Sequence, residues 1–329
     1  MIVVTGATGF IGSALVWELN QKGLTDILCV DTVPPGARPG ILEKRQYSRF
    51  MDHKEFLDHL KQNPSQKFDW VIHMGACSST TEMNIDFLYQ NNTLYTQILF
   101  EHCRDTQTPF VYASSGACYG DGAQGFDDQT DPHLLKPLNP YGDSKVNFDR
   151  WILAQNKFPP FWMGLRFFNV YGPNEYFKKD MSSVVFKAYR QIKVNGRLKL
   201  FKSHHPDYKD GEQLRDFVYI KDITSWILEI MEGKGFSGIY NMGFGKARTW
   251  LSLAEEVFKN LNCEMQIDWV DVPEDIRPRY QYFTEAKMER FLSQDFHKPR
   301  WSLEDAIADY IQYLDKDDPF LWGMSFEQC

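Results

Sequence analysis

A tyrosine and a lysine placed four residues apart are the first pair in this sequence whose types suggest catalysis. Tyr141 and Lys145 stand in the run Tyr-Gly-Asp-Ser-Lys. On a helix this spacing puts a phenol and an ammonium on one face, one turn apart. A phenol titrates near pH 10, so acid–base work at neutral pH needs its pKa lowered by about two to three units. A neighbouring positive charge lowers that pKa, and we therefore predict that Lys145 assists Tyr141 as a general acid–base group.

The same spacing occurs again at Tyr189 and Lys193, so the pair alone is weak evidence. The upstream sequence separates the two copies. An apolar run ends in hydroxyls at Ser114 and Ser115, whereas nothing comparable precedes Tyr189. We predict that Ser115 lies beside Tyr141 and hydrogen-bonds a substrate oxygen, with a turn or N-cap role as the structural alternative. The second pair is interpreted as a solvated helix face.

Three glycines near the amino terminus form a candidate phosphate-binding turn. Residues 2–4 are apolar and lead directly into Thr-Gly-Ala-Thr-Gly-Phe-Ile-Gly, which contains Gly6, Gly9 and Gly12. Glycines permit a tight turn and close backbone approach, and the N-terminus of the following helix offers free N–H groups to a pyrophosphate. The spacing differs from the commonest dinucleotide fingerprint, and ordinary strand–helix connections also contain glycines. The position after a first strand and before a helix favours a dinucleotide site.

Two charged residues after the second apolar run bear on which dinucleotide is bound. Asp31 follows Gly12 by 19 residues, where a carboxylate accepts hydrogen bonds from an adenosine ribose and favours NAD. Arg38 stands in the next loop, where a guanidinium can hold a ribose 2′-phosphate and favours NADP. The residues alone leave this choice open.

Short apolar runs alternate with longer stretches of helical period in the first half of the chain. The runs are residues 2–4, 27–30, 70–73, 110–113 and 163–168, and the helical stretches include 11–21, 54–62 and 86–105. This alternation is typical of a parallel sheet covered by helices on both faces. The predicted fold class is α/β, a Rossmann-type doubly wound parallel sheet with a smaller, interleaved C-terminal substrate domain.

The pattern changes after Phe168. We predict a helix near residues 181–194, a long polar loop at 203–213, strands at 217–220 and 238–242 that return the chain to the first domain, and helices at 251–261 and 303–314. The predicted dinucleotide-binding domain comprises residues 1–168 and 217–244, and the substrate-binding domain comprises residues 169–216 and 245–329.

Composition narrows the class of protein. The 329 residues are 43% hydrophobic and 24% charged, which is typical of a globular protein. A net charge of −8 argues against bulk nucleic acid as a partner. No apolar run approaches membrane-spanning length, and six cysteines without a CxxC pair favour reduced thiols in a cytoplasmic protein. His73 and the pair His204 and His205 lack the spacing of a metal site, so no metal is predicted.

The motifs resemble the extended short-chain dehydrogenase/reductases that act on nucleotide sugars. The residues that match the core motifs of this family are the glycine turn, Asp31, Ser115, Tyr141 and Lys145. More narrowly, the sequence is similar to the ADP-glyceromanno-heptose 6-epimerases, which make a lipopolysaccharide precursor. That similarity spans nearly the whole chain and is carried by residues 75–82, 136–139, 168–173 and 215–219.

The resemblance implies a bound NADP, with NAD as the alternative, and a small nucleotide-diphosphate sugar as substrate. The implied cofactor residues are Gly6, Gly9, Phe10, Ile11, Gly12, Asp31, Thr32, Arg38, Met74, Gly75, Ala76, Cys77, Ser78, Asn91, Lys145 and Val170. The implied substrate contacts are Ser79, Asn169, Asp180, Lys187, Phe201, Arg215 and Tyr280. Asp180 and Lys187 stand where the family has a serine and a histidine. We also expect a homo-oligomer, and the aromatic tail at residues 319–329 docks either on the body or on a neighbouring subunit.

The implied reaction inverts a secondary alcohol whose carbon-bound hydrogen is not acidic. Removal of a hydride from that carbon avoids this problem and gives a transient 6-ketone. Return of the same hydride to the other face of the ketone then inverts the centre. Tyr141 takes the hydroxyl proton, and Lys178 is the implied second acid–base group because the new alkoxide points away from Tyr141. A lysine needs a lowered pKa to serve both ways. The alternatives are another epimerase, such as a UDP-glucose 4-epimerase, and a non-catalytic NAD(P)-sensing protein. A dehydratase is disfavoured because residues 116–118 contain no carboxylic acid.

A basic segment between Tyr176 and Ser203 is a candidate for capturing a diphosphate. It has one acid, Asp180, against eight basic residues, which are Lys178, Lys179, Lys187, Arg190, Lys193, Arg197, Lys199 and Lys202. A local positive charge in an acidic chain attracts anions. An outward-facing basic helix is the structural alternative.

Overall fold

The structure is a computed structural model that describes residues 1–274, 276–277 and 280–321. Its strands are β1 (Ile2–Thr5), β2 (Ile27–Asp31), β3 (Arg49–Asp52), β4 (Trp70–His73), β5 (Phe110–Ser115), β6 (Trp162–Phe167), β7 (Asn169–Tyr171), β8 (Leu198–Phe201), β9 (Leu214–Arg215), β10 (Phe217–Tyr219), β11 (Gly238–Met242), β12 (Arg248–Thr249) and β13 (Ile267–Val270).

Its α-helices are α1 (Phe10–Gln21), α2 (His53–Gln62), α3 (Ile85–Leu88), α4 (Tyr95–Thr106), α5 (Pro140–Leu153), α6 (Val184–Asn195), α7 (Ile220–Met231), α8 (Trp250–Asn260), α9 (Glu289–Leu292) and α10 (Leu303–Leu314). A π-helical stretch, Tyr89–Leu94, joins α3 to α4. Short 3₁₀ helices occur at Pro35–Ala37, Gly116–Tyr119, Pro132–Leu134 and Tyr176–Met181.

Seven parallel strands form the central sheet, in the order β11–β6–β5–β4–β1–β2–β3. Successive side chains of a strand point to opposite faces. Accordingly Ile2 and Val4 of β1 pack in the hydrophobic cluster that contains α1 and α7, whereas Val3 packs in the cluster that contains α2, α4 and α5. Both faces of the sheet are therefore covered, which confirms the predicted α/β doubly wound fold.

The carboxyl edge of this sheet is where the candidate site residues meet. Parallel strands bring their carboxyl ends to one edge, and ligands of doubly wound sheets bind where the strand order reverses. Here that point lies at β1, which has β2 on one side and β4 on the other. Thr5, His73 and Ser115 end β1, β4 and β5 at this edge.

The second half of the chain partly departs from the prediction. Residues 238–242 form β11 and pair with β6, as expected of a chain that returns to the sheet. Residues 217–219 do not join the central sheet, because β10 pairs with β7 in a separate two-stranded sheet, and residue 220 already begins α7. Prediction missed that helix, since an apolar run alone does not separate a strand from a buried helix.

The remaining strands build a smaller layer beyond the sheet. β8 pairs with β13 and β9 pairs with β12, while α6 packs on α8, and α8 on α10. Within the described ranges, no helix has both the length and the apolar character needed to cross a bilayer. The division into two domains at the boundaries given above stays a prediction.

Candidate active site

A cleft of about 1020 Å³ opens at the carboxyl edge of the sheet. Every residue predicted to hold the cofactor lines this cleft, from Gly6 in the glycine turn to Val170 on β7. The predicted acid–base groups Tyr141 and Lys178 line it too, together with Ser115. The structure therefore brings together, in one cavity, residues separated by up to 172 positions in the sequence.

The backbone packs too tightly around the glycine turn to admit a side chain at Gly6 or Gly12. Gly6 has a φ of 66°, and a Cβ added to it would lie 2.8 Å from the Cα of Gly75. A Cβ on Gly12 would lie 2.1 Å from the carbonyl oxygen of Gly6. In the described chain no side chain caps the N-terminus of α1, so its first N–H groups are available to a ligand. These features fit a dinucleotide pyrophosphate.

Asp31 and Arg38 meet at one residue of the glycine turn. The Asp31 carboxylate accepts hydrogen bonds from the backbone N–H groups of Thr8, at 3.0 Å, and Val33, at 3.1 Å. The Arg38 guanidinium donates to the Thr8 carbonyl oxygen at 2.6 Å. The backbone of Thr8 thus holds an acidic and a basic side chain at the same end of the cleft.

A buried histidine supports the turn from below. The His73 ring makes hydrogen bonds with Thr5 Oγ1, at 2.6 Å, and Thr96 Oγ1, at 2.9 Å. Burial, together with the charge of Lys145, lowers the pKa of His73 to about 3. Because the ring is therefore neutral at pH 7, His73 links β1, β4 and α4 and does not act as an acid–base group.

Asn92 connects the loop that contains Cys77 to helix α5. Its side-chain oxygen accepts from the Cys77 N–H at 2.8 Å, and its nitrogen donates to the Cys77 carbonyl at 3.0 Å and to Ser144 Oγ at 3.0 Å. Ser144 precedes Lys145 on α5. Sequence reasoning missed Asn92. It lies in the π-helical stretch, a feature often found at functional sites, which the sequence pattern does not reveal.

Tyr141, Ser115 and Lys145, which are the predicted acid–base residues, line the side of the cleft formed by β5 and α5, here called the sheet side. A hydrogen bond joins the Tyr141 phenol to Ser115, and Lys145 Nζ donates to the Ala113 carbonyl at 2.9 Å. Burial raises the pKa of Tyr141 to about 12, and the bond to Ser115 opposes this rise. Burial also lowers the pKa of Lys145 to about 8.

The assistance of the Tyr141 phenol by Lys145 stays a prediction. The Lys145 ammonium is bound to a strand carbonyl, and burial dominates the ionisation of Tyr141. A positive charge placed near the phenol would lower this pKa.

Lys178 approaches the cleft from the short helix Tyr176–Met181. Its ammonium lies 5.2 Å from the centroid of the Phe10 ring, at the start of α1. Burial lowers the pKa of Lys178, and Glu175 opposes the shift while Lys187 adds to it. The next residue, Lys179, is exposed and has a φ of 49°. The backbone therefore turns one lysine toward the cleft and the other toward solvent.

Glu175, which sequence reasoning missed, anchors the segment that carries Lys178. Its carboxyl is fully buried and accepts hydrogen bonds from the N–H of Gly172 at 3.3 Å and from Ser183 Oγ at 2.6 Å. Ser183 also caps the N-terminus of α6. Burial raises the pKa of Glu175. One buried carboxyl thus ties together both ends of the segment.

Sequence comparison identifies the family of this site. A model of the NAD dependent epimerase/dehydratase family matches residues 2–243. The chain belongs to that family. The ADP-L-glycero-D-manno-heptose-6-epimerase of Nitratidesulfovibrio vulgaris (strain DP4) is 45% identical over 324 residues, which are 98% of this chain and 100% of that protein.

Two solved structures show the same architecture. Helicobacter pylori ADP-L-glycero-D-manno-heptose-6-epimerase is 27% identical, covers 95% of each chain and has a TM-score of 0.80. MoeE5 in complex with UDP-glucuronic acid and NAD is 26% identical, covers 94% of this chain and 97% of its own, and has a TM-score of 0.75. The predicted resemblance to nucleotide-sugar epimerases, the enzyme class and the nicotinamide cofactor are confirmed.

The predicted substrate contacts of this epimerase/dehydratase family member separate into three groups. Ser79 and Asn169 line the cleft. The other five do not line it. Phe201, Arg215 and Tyr280 cluster beside it, with the Arg215 guanidinium 5.4 Å from the Tyr280 ring and 5.7 Å from the ring of Trp250, a cleft residue.

Asp180 and Lys187 form the third group. Lys187 Nζ donates to the Asp180 carbonyl oxygen at 2.6 Å, and neither residue reaches the cleft in this structure. These are also the two positions at which the sequence departs from the family pattern. Their direct contact with substrate stays a prediction.

The basic segment does not form a single anion site, contrary to expectation. Three of its members pair with carboxylates of other segments: Lys193 with Asp315 at 2.8 Å, Arg197 with Asp268 at 2.5 Å, and Lys202 with Asp271 at 3.7 Å. All eight basic residues lie in the described chain, and Lys178 is the one that lines the cleft. The net charge of the segment alone could not show these ion pairs, because the paired carboxylates lie more than 60 residues away in the sequence.

Proposed function

We propose that the protein is an ADP-glyceromanno-heptose 6-epimerase, which interconverts ADP-D-glycero- and ADP-L-glycero-D-manno-heptose with bound NADP. The observation that carries the proposal is that Tyr141 and Lys178 line the same cleft from different elements. Tyr141 stands beside the end of β5, whereas Lys178 lies against Phe10, just beyond β1. β4 separates β5 from β1 in the sheet, and two strand spacings are about 10 Å. This supports a site in which two side chains able to transfer protons enter one cleft from different elements.

The proposed mechanism divides the proton transfers between these two groups. A bound nicotinamide supplies a hydride acceptor that returns the hydride. Tyr141 takes the proton from the C6 hydroxyl while Ser115 hydrogen-bonds beside it, and the sugar becomes a ketone at C6. After the exocyclic arm rotates, the oxygen faces away from Tyr141, and Lys178 donates the proton that completes the inverted alcohol. The reverse reaction uses the same groups with exchanged roles.

The electrostatics of both groups support these roles. Burial keeps Tyr141 protonated in the protein alone, at a pKa of about 12. Positive charge near the phenol lowers its pKa, so its activation is coupled to binding of the oxidised cofactor. Burial moves the pKa of Lys178 downward, toward the range in which a lysine both donates and accepts a proton.

We propose that NADP is preferred over NAD. The Asp31 oxygens already accept two backbone hydrogen bonds. Arg38 is held at the same end of the cleft by the Thr8 carbonyl, with donors left over. A guanidinium in that position pairs with a ribose 2′-phosphate, which NAD lacks.

The decisive experiment is incubation of the purified protein with ADP-D-glycero-D-manno-heptose, followed by NMR of the C6 centre. We expect an equilibrium mixture of the two epimers with no net change in absorbance at 340 nm, since the cofactor is restored in each turnover. UDP-glucose serves as the matched control substrate. Turnover of UDP-glucose instead would assign a 4-epimerase, and cofactor binding without turnover of either sugar would favour a sensing protein.

A further inference from the structure

Residues 318–321, here called the C-terminal strap, pack against Asn174, Tyr176 and Phe177 beside the cleft. The Tyr176 hydroxyl donates to the Pro319 carbonyl at 2.6 Å, and the Leu321 N–H donates to the Asn174 side-chain oxygen at 3.0 Å. Arg45 donates to the Leu321 carbonyl. The strap is thus bound to residues on both sides: the segment that leads to Lys178 and the loop that follows Arg38.

Phe320 is the strap residue that touches both sides through its ring. Its ring lies edge-on to Tyr176, at a centroid distance of 5.4 Å, and nearly parallel to Phe177, at 6.2 Å with an interplanar angle of 18°. It also lies on the backbone of Gly40, where an added Cβ would come within 2.1 Å of the ring. Gly40 has a φ of 85° and stands two residues after Arg38. The ring therefore needs a glycine beneath it.

Arg38 also lies close to the Phe177 ring. Its guanidinium carbon lies 6.0 Å from the centroid of the Phe177 ring, within the range of a cation–π contact. The same guanidinium donates to the Thr8 carbonyl. Phe177 is half-buried and lines the cleft. Arg38, Phe177 and Phe320 therefore form a continuous series from the cleft to the strap.

We propose that Phe320 is a positioning residue for Arg38 and thereby sets the preference for NADP over NAD. Phe320 packs on the Phe177 ring and on the backbone of the Arg38 loop at Gly40, so the guanidinium is held in place before the dinucleotide binds. A guanidinium that is already ordered loses less conformational freedom on pairing with a phosphate. The inference rests on the proposed use of Arg38 for the 2′-phosphate.

The test measures the dissociation constants of NADP and NAD for the full-length protein after removal of bound nucleotide, for example by calorimetry. The quantity of interest is the affinity ratio of NADP to NAD, which a general loss of stability does not change. We expect Phe320→Ala to lower this ratio about 2- to 5-fold, the range expected from losing an exposed cation–π contact. Phe320→Tyr, which keeps the aromatic ring, restores the ratio.

Two further variants control the result. Phe161→Ala removes another half-buried phenylalanine, one that packs on Trp70 away from the cleft, and leaves the ratio unchanged. Gly40→Ala displaces the Phe320 ring without altering it and lowers the ratio as Phe320→Ala does.

Arg38→Gln separates this inference from the proposed cofactor preference. If Arg38→Gln lowers the ratio and Phe320→Ala and Gly40→Ala do not, the strap has no positioning role and the inference is wrong. If Arg38→Gln itself leaves the ratio unchanged, the proposed recognition of the 2′-phosphate fails first, and the inference fails with it.

Discussion

The two sides of the cleft hold the proposed acid–base groups in different ways. On the sheet side, Tyr141 and Lys145 stand on α5, and Ser115 ends β5. On the loop side, Lys178 stands on a 3₁₀ helix of six residues that contains a left-handed residue, Lys179. Regular elements carry the first group, whereas a short irregular segment carries the second.

A buried network fixes the sheet side from behind. Asp149 of α5 and Arg166 of β6 are fully buried and form an ion pair at 2.9 Å. Asp149 also accepts hydrogen bonds from Tyr112, at 2.9 Å, and Ser114, at 3.0 Å. Ser114 precedes Ser115, and Asp149 lies one turn after Lys145. The network therefore holds β5 against α5 at the point where Ser115 meets Tyr141.

The loop side is held by one buried carboxyl and by aromatic packing. Glu175 ties the ends of the segment together, and the ring of Phe320 covers Tyr176 and Phe177. We infer that the buried network makes the sheet side rigid. On the loop side, the residues around Lys178 set the proton affinity of its side chain. The following predictions test this difference.

The largest expected effect is on stability. Arg166→Met leaves the Asp149 carboxylate buried and unpaired, so the free energy of unfolding should fall by about 3 to 5 kcal/mol. Urea denaturation followed by circular dichroism measures it. Arg197→Met removes an arginine from an exposed pair with Asp268 and should leave stability nearly unchanged. Equal effects of the two variants would contradict a special role of the buried network.

Tyr141→Phe should lower kcat by about 100-fold or more while leaving cofactor affinity intact, because it removes the general acid–base group but keeps the ring. The assay is epimer formation followed by NMR, with cofactor binding measured separately. Tyr189→Phe is the matched control, since Tyr189 has the same spacing to a lysine but bonds to Asp315. Near-normal turnover of Tyr141→Phe would refute its role.

Lys178→Met should lower the rate of epimerisation about 10- to 100-fold in both directions, because each direction uses the ammonium or its conjugate base once. Starting the reaction from each epimer in turn measures the two rates. Lys179→Met changes the neighbouring exposed lysine and should leave both rates unchanged. Unchanged kinetics of Lys178→Met would return that residue to a surface role.

The smallest expected effect concerns the cost of burying Lys145. Its pKa is about 8 in the folded protein and 10.5 otherwise, so the unfolded chain holds the proton more tightly. Charged Lys145 therefore destabilises the fold below pH 8, and this cost disappears as the pH rises toward 10. We expect Lys145→Met to raise the free energy of unfolding by about 1 to 2 kcal/mol at pH 7, with the lost bond to Ala113 offsetting part of the gain.

Urea denaturation of the cofactor-free proteins at pH 7 and pH 10 checks this prediction. The advantage of Lys145→Met should shrink at the higher pH. An advantage that grows with pH, or none at pH 7, would show that the ammonium is not destabilised by burial.

The sheet side could be predicted from the sequence because its signals are local. The glycine turn, the hydroxyls at the end of β5 and the Tyr141 and Lys145 spacing each occupy a few consecutive residues on regular elements. Parallel strands then bring their ends together by geometry. The position of Ser115 beside Tyr141 follows from this rule, without knowledge of any distant contact.

The loop side could not be predicted in the same way. Glu175 is one of many acids in the sequence, and its role depends on Gly172 and Ser183 closing around it. Phe320 docks on the body of the protein, whereas Trp322 and Phe326 of the same tail lie outside the described residues. Contacts with residues distant in the sequence fix the positions of Glu175 and Phe320. The same holds for the ion pairs of the basic segment.

The most direct test of the account follows the hydrogen at C6. ADP-D-glycero-D-manno-heptose carrying deuterium at C6 is converted in ordinary water, and the product is examined by NMR and mass spectrometry. If hydride is removed and returned within one active site, the inverted product keeps its deuterium at C6. Replacement of that deuterium by hydrogen from the solvent would mean proton abstraction from carbon, and would contradict the assignment of Tyr141 and Lys178 to the oxygen-bound protons.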